Sequence, residues 1–143
     1  MTRVDFYHDA PDRLAIAAGI VRKAYAQHTP LLVFIPQAAL AARFDQMLWE
    51  QPATGFLPHC RADSPLAGQT TVLIATELDA EAPLPHDQLL INLGQDIPPG
   101  FARFLRVIEI VGRSEEDKTP ARSRFKFYRD HGYEINRHDL SGH

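Results

Sequence analysis

Cysteine is nearly absent from this chain: Cys60 stands alone among 143 residues. One thiol closes no intramolecular disulfide and builds no multi-cysteine zinc site, so the sequence suits a reducing, cytoplasmic setting. Glycine is absent where phosphate chemistry needs it. There is no GxxxxGKS/T and no GxGxxG, and the first apolar segment runs straight into His8-Asp9-Ala10-Pro11, so no backbone cradle for a nucleotide is expected. Long apolar runs are absent too. Leu31–Ile35 and Leu89–Ile91 fall far short of the ~20 residues that cross a bilayer. Met1–Asp9 lacks the basic-then-apolar order of a secretory leader. Positive charge is not in excess either: 15 Lys+Arg face 18 Asp+Glu, which argues against a basic nucleic-acid coat.

Catalytic and metal-binding patterns are thin. The seven histidines include no pair at i,i+4 or H-x-H spacing, so no metal site is expected. His59 and Cys60 are adjacent, and neighbouring side chains on a strand point to opposite faces. A nucleophile–base pair there, in a small metal-dependent hydrolase or nuclease, stays open as a rival reading. A lone cysteine acting as a small hydrophobe is the plainer one.

What is present is alternation. The length fits one domain over residues 1–143, with the residues from about 137 read as a tail that could be disordered. Val4–Tyr7 reads as a strand, and Asp12 caps a helix to about Gln27 whose apolar positions keep the 3.6 period. Leu31–Ile35 is a strand apolar on both faces. A helix follows from Pro36 to about Trp49, then a short strand at Phe56–His59 and a loop over 61–70. Thr71–Thr76, Gln88–Leu93 and Leu105–Val111 are further strands, with a turn at Pro98–Gly100 and a brief helical turn at Phe101–Phe104. Ser114 and three acids open a last helix, which Gly132 ends. Pro120 leaves a start at Thr119 as the alternative. Strands alternating with helices give an α/β domain with a mostly parallel sheet.

The charge balance conceals an asymmetry. Lys118, Arg122, Arg124, Lys126 and Arg129 fall within one helix and no acid lies among them. Without those five the chain carries ten basic and 18 acidic residues. Lys118, Arg122, Lys126 and Arg129 recur at helical spacing, with Phe125 beside them. Like charges at i,i+4 repel by a few tenths of a kcal/mol, so the stripe adds nothing to helix stability. It is either a solvated face or a site for an acidic ligand, nucleic acid or peptide. The acidic remainder favours a compact peptide site over a long polyanion track. A second feature is the only tryptophan, Trp49, at a helix end before irregular chain leading to Phe56, Pro58 and His59. It is a candidate for an interface, with core packing as the alternative.

The ordered set of Val4-Asp-Phe-Tyr7, Phe44-Asp-Gln-Met-Leu-Trp49, Phe56-Leu-Pro-His59, Leu90-Ile-Asn-Leu-Gly94, Phe104-Leu-Arg-Val-Ile-Glu-Ile-Val111 and Arg122-Ser-Arg-Phe-Lys-Phe-Tyr-Arg-Asp-His-Gly-Tyr133 resembles the chi subunit of bacterial DNA polymerase III. The resemblance implies a single three-layer Rossmann-like domain without the nucleotide-binding glycines. It implies no catalysis and no cofactor. It implies two partners: the acidic C-terminal tail of single-stranded DNA-binding protein, and the psi subunit that links chi to the clamp loader. DNA would then be contacted only indirectly, and the chain would be a monomer or a heterodimer with psi. By position, the tail site should involve Val111, Lys118, Arg122, Phe125, Lys126, Tyr128, Arg129 and Gly132. Phe125 stands where many relatives carry tyrosine. The psi surface should involve Trp49, Phe56, Pro58 and His59. Direct binding of single-stranded nucleic acid by the basic helix is the other rival.

Overall fold

The structure is a computed structural model and describes residues 2–50, 57–82 and 84–141. Seven strands form one parallel sheet: β1 (Arg3–Ala10), β2 (Leu31–Phe34), β3 (His59–Arg61), β4 (Val72–Ala75), β5 (Leu89–Asn92), β6 (Arg106–Gly112) and β7 (Glu134–Asp139). Their order is β3-β4-β2-β5-β6-β1-β7. Three helices flank it: α1 (Arg13–Ala26), α2 (Ala38–Trp49) and α3 (Glu115–Asp130). The arrangement is the α/β domain with a parallel sheet that the strand–helix alternation predicts, and the three-layer, Rossmann-like fold that the resemblance implies.

The central strands β2, β4 and β5 are buried along their whole length, which explains why they read as unbroken apolar runs. The period of two sorts their side chains between the faces. Val33, Ile74, Ile91, Ile108 and Ile110 meet the α1 and α2 layer. Leu32, Leu73, Leu90, Val107 and Phe104 meet Ala121 and Tyr128 of α3.

The caps follow the sequence. The Asp12 carboxylate accepts from the Ala15 N–H at 3.2 Å, and the Ser114 hydroxyl accepts from the Asp117 N–H at 3.2 Å. α3 starts at Glu115 and carries Pro120 inside it, so the alternative start at Thr119 is set aside. Gly132, at φ 78, ends α3 in a Schellman arrangement. Its N–H donates to the Arg129 carbonyl at 3.1 Å, and the Tyr133 N–H donates to that of Tyr128 at 3.0 Å.

Two differences from the sequence reading matter. β3 begins at His59 and runs to Arg61, later than the Phe56–His59 expected; Phe56 lies outside the described residues. And β7 is a strand that the polar segment Glu134–Asp139 does not announce. It pairs with β1 from Arg3↔Glu134 to His8↔Asp139, past the point where a tail is expected.

In open α/β sheets ligands sit at the carboxyl ends of neighbouring strands whose connections leave in opposite directions. Here β2 leads toward β3 on one side and β5 toward β6 on the other. That crevice is filled by the chain itself. A Cβ on Gly94 would lie 2.9 Å from Pro36 Cγ. The Arg13 guanidinium donates to the Ile110 carbonyl and the Leu93 carbonyl, each at 3.0 Å.

Candidate ligand-binding cleft

α3 is held to the sheet by a buried polar cluster. Glu109 on β6 is fully buried. The Arg124 Nε donates to its Oε1 at 2.9 Å, the Tyr128 hydroxyl to its Oε2 at 2.8 Å, and the Asn92 amide to both oxygens at 3.0 Å. Arg124 Nη1 also donates to the Gln95 carbonyl at 2.8 Å. Burial pushes the Glu109 carboxyl up from its ordinary value, against the pull of Arg124 and the other donors. The same burial, beside Glu109, pushes the Tyr128 phenol up. Of the five cations counted on this helix, Arg124 is therefore no surface charge: it is 4% exposed and already neutralised.

The outward flank of α3 forms one wall of a cleft of about 460 Å³. Val111, Lys118, Arg122, Phe125, Lys126 and Arg129 all line it, so six of the eight residues expected at the tail site come together. Gly132 does not line it and instead ends the helix. Tyr128 does not line it either. At 0% exposure it is a core residue, and its phenol is committed to Glu109.

The cleft has further walls that a helix-based reading misses. Phe6 and Ala121 complete an apolar floor with Val111 and Phe125; Phe6 and Phe125 meet edge to face at 5.5 Å. Arg137 of β7 closes the far side, its guanidinium 5.6 Å from the centre of the Phe125 ring. His8 and Asp9 close one end. Asp9 has φ 59 where the β1–β6 register shifts, a conformation that aspartate tolerates better than most residues. Its carboxylate lies 3.2 Å from Lys118 Nζ and 3.0 Å from His8 Nδ1. The His8 hydrogen bond, then Lys118, hold the Asp9 carboxyl below the usual carboxylate range.

Among the described residues one donor group suits a cation: His8, Asp9 and Asp139 bring three ligand atoms within 4.8 Å. It is partly exposed, and Asp9 is shared with Lys118.

The second expected surface lies elsewhere. Trp49, at the end of α2, is 54% exposed. Its ring stands 5.1 Å from that of His59. His59 itself is 1% exposed at its side chain, with Nε2 2.9 Å from Asp45 Oδ1 and Nδ1 2.8 Å from the Leu57 carbonyl. Both ring nitrogens are thus occupied, which leaves neither to activate Cys60. Pro58 is half-buried beside it.

Fold and cleft together define a parallel α/β domain whose cleft is cationic at the rim and apolar at the floor, away from the crevice where such sheets keep nucleotides. The family model described as DNA polymerase III chi subunit, HolC, matches residues 1–136. The chain is 32% identical over 144 residues to the DNA polymerase III subunit chi of Pseudomonas aeruginosa, covering 98% of both chains. It is 28% identical to that of Haemophilus influenzae over 85% of this chain and 83% of the relative. It is 31% identical to that of Escherichia coli over 67% and 64%. The chain belongs to the DNA polymerase III chi subunit family. Its place in DNA replication is that of an accessory subunit rather than a catalytic one. No helix among the described residues is long and apolar enough to cross a membrane.

Proposed function

We propose that this chain is a cytoplasmic adaptor that binds the acidic C-terminal tail of single-stranded DNA-binding protein and, through the psi subunit, tethers it to the clamp-loader assembly. The observation that carries this reading is the cleft itself. Exposed Arg122, Lys126 and Arg129 ring an apolar floor, and a tail of aspartates ending in Ile-Pro-Phe supplies the complementary charge and ring. Burying a terminal phenylalanine is worth about 1.5–3 kcal/mol. Exposed ion pairs add about 1 kcal/mol each at most. Affinity is therefore modest, and effective concentration along a protein-coated template compensates for it. The exposed Trp49 supports a separate psi surface, so both partners can be held at once.

The test is titration of the tail peptide against Arg122→Ala and Lys126→Glu. Both variants keep the fold and lose binding. Unchanged affinity would overturn the site. The same cations support one other reading, direct contact with single-stranded DNA. That reading requires a mobility shift with the bare strand, in the absence of its coat protein.

A further inference from the structure

His8 and Asp9 are neighbours near the carboxyl end of β1, a spacing that sends strand side chains to opposite faces. Here they converge. The β1–β6 register shifts between Tyr7 and Ala10, and Asp9 sits at φ 59 inside that irregularity. A bulge of this kind re-aims one side chain. Asp139 arrives from β7, where the ladder sets it directly opposite His8. His8 Nδ1 lies 3.0 Å from Asp9 Oδ2 and 4.0 Å from Asp139 Oδ1, and the three donor groups fall within 4.8 Å of one another. Among the described residues no other three His, Cys, Asp or Glu side chains come this close. Sequence spacing does not announce the group, because its third member comes through strand pairing.

The imidazole cannot serve both carboxylates by itself. Nδ1 carries either one proton or one lone pair. As a donor it satisfies Asp9 and leaves Asp139, at 4.0 Å, beyond hydrogen-bond reach. A cation at the common focus meets all three groups. We propose that His8, Asp9 and Asp139 form a site for an exchangeable divalent transition-metal ion. One ring nitrogen and two carboxylate oxygens suit a first-row ion such as zinc or manganese, whereas magnesium and calcium prefer oxygen alone. The three side chains are between 29% and 58% exposed, so water completes the coordination and the ion comes and goes. Lys118 Nζ lies 3.2 Å from Asp9 Oδ1, the oxygen turned away from His8, and Arg113 Nε donates to the Asp9 carbonyl at 3.2 Å. These contacts orient the carboxylate as an outer shell orients a metal ligand, and their positive charge keeps affinity modest. The Ser141 N–H, 2.8 Å from Asp139 Oδ1, holds the other carboxylate. The site stands independently of what the cleft binds. Its consequence there is one of sign: bound metal turns the end closed by His8 and Asp9 from acidic to cationic.

The experiment is calorimetric titration of the metal-free full chain with zinc chloride and manganese chloride, with magnesium and calcium chloride as comparisons. Zinc binds at one ion per chain, and affinity falls from zinc to manganese to magnesium and calcium. His8→Ala and Asp139→Asn each weaken zinc binding by more than about tenfold, the loss that even an outer-shell substitution brings. His131→Gln removes an exposed histidine elsewhere and changes nothing. In the unsubstituted chain, manganese broadens the amide NMR signals of residues 8, 9 and 139 before any others. Asp139 is exposed on an edge strand, so thermal unfolding of Asp139→Asn in metal-free buffer stays at the unsubstituted value and its binding loss reports the ligand alone. The site is overturned if neither zinc nor manganese binds, if manganese broadening centres elsewhere, or if His8→Ala and Asp139→Asn keep the unsubstituted affinity. It is equally overturned if His131→Gln weakens zinc as much as His8→Ala does, since surface histidines at large would then hold the ion.

Discussion

Arg124 and Glu109 form a desolvated ion pair, Nε to Oε1 at 2.9 Å, on the inner side of the helix whose outer flank lines the cleft. Two faces of one basic helix thus do different things. One charge is spent holding α3 in place and the others reach solvent. Removing one member of a buried pair costs about 3–5 kcal/mol because the other is stranded. Arg124→Met should lose about that much in urea unfolding. Arg124→Met combined with Glu109→Leu should be less damaged than Arg124→Met alone. With Arg124 gone, the Glu109 carboxyl, already raised by burial, rises further. A carboxyl raised in the folded state favours folding at low pH, so the deficit should grow as pH climbs above ~4.3, the unfolded value for glutamate.

Tyr128→Phe removes the hydroxyl that donates to Glu109 at 2.8 Å. A hydrogen bond to a charged group is worth about 1.5–3 kcal/mol, so stability should fall by that order. Affinity for the tail peptide should not change, because the side chain is fully buried. A Tyr128→Phe variant of ordinary stability but weakened binding would contradict its place in the core.

Peptide affinity should drop several-fold as salt is raised from roughly 0.05 to 0.5 M, because the pairing cations are exposed and screened. Lys126→Glu should flatten that slope as well as weaken binding. Titrations at several ionic strengths give both numbers.

Trp49→Ala should weaken binding of psi and leave tail-peptide affinity intact, since Trp49 lies outside the residues lining the cleft. The side chain is more than half exposed, so chemical unfolding should move by about 1 kcal/mol or less. Parallel titrations with the two partners decide it.

Asp5 gives a pH dependence of the opposite sense. Its burial alone would raise it, but Arg106 Nε at 2.5 Å and His138 Nε2 at 3.1 Å hold the carboxyl below its ordinary value. A depressed carboxyl stabilises the fold above its unfolded value of ~3.9, and that contribution is lost as pH falls through the folded value. Asp5→Asn should be less stable at pH 7, with the gap closing in acid. A gap that stays constant with pH would contradict the pairing.

The strands that read most easily from sequence are those buried on both faces, because Leu31–Phe34, Val72–Ala75 and Leu89–Asn92 carry apolar side chains whichever way they point. β7 was illegible for the converse reason. It is an edge strand of Glu, Asn, Arg, His and Asp with a single Ile, and only its backbone pairing with β1 makes it a strand. The helix half of the cleft was legible because a charge stripe shows in one dimension. Arg124 falls off that stripe and counts only toward the segment's charge, since spacing locates a cation on a helix but does not reveal that Glu109 waits beneath it. Phe6, Asp9 and Arg137 were beyond reach, since they come to α3 only through the order in which strands assemble.

That order has a kinetic meaning. Phe6 and Arg137 face each other across the β1–β7 ladder, yet of the described strands one belongs to the first in sequence and the other to the last. A chain can close most of its sheet early in folding, but the cleft lacks its Arg137 wall until β7 has docked against β1. Fraying of this one edge strand would therefore open one wall of the cleft and leave its apolar floor and the α3 cations in place.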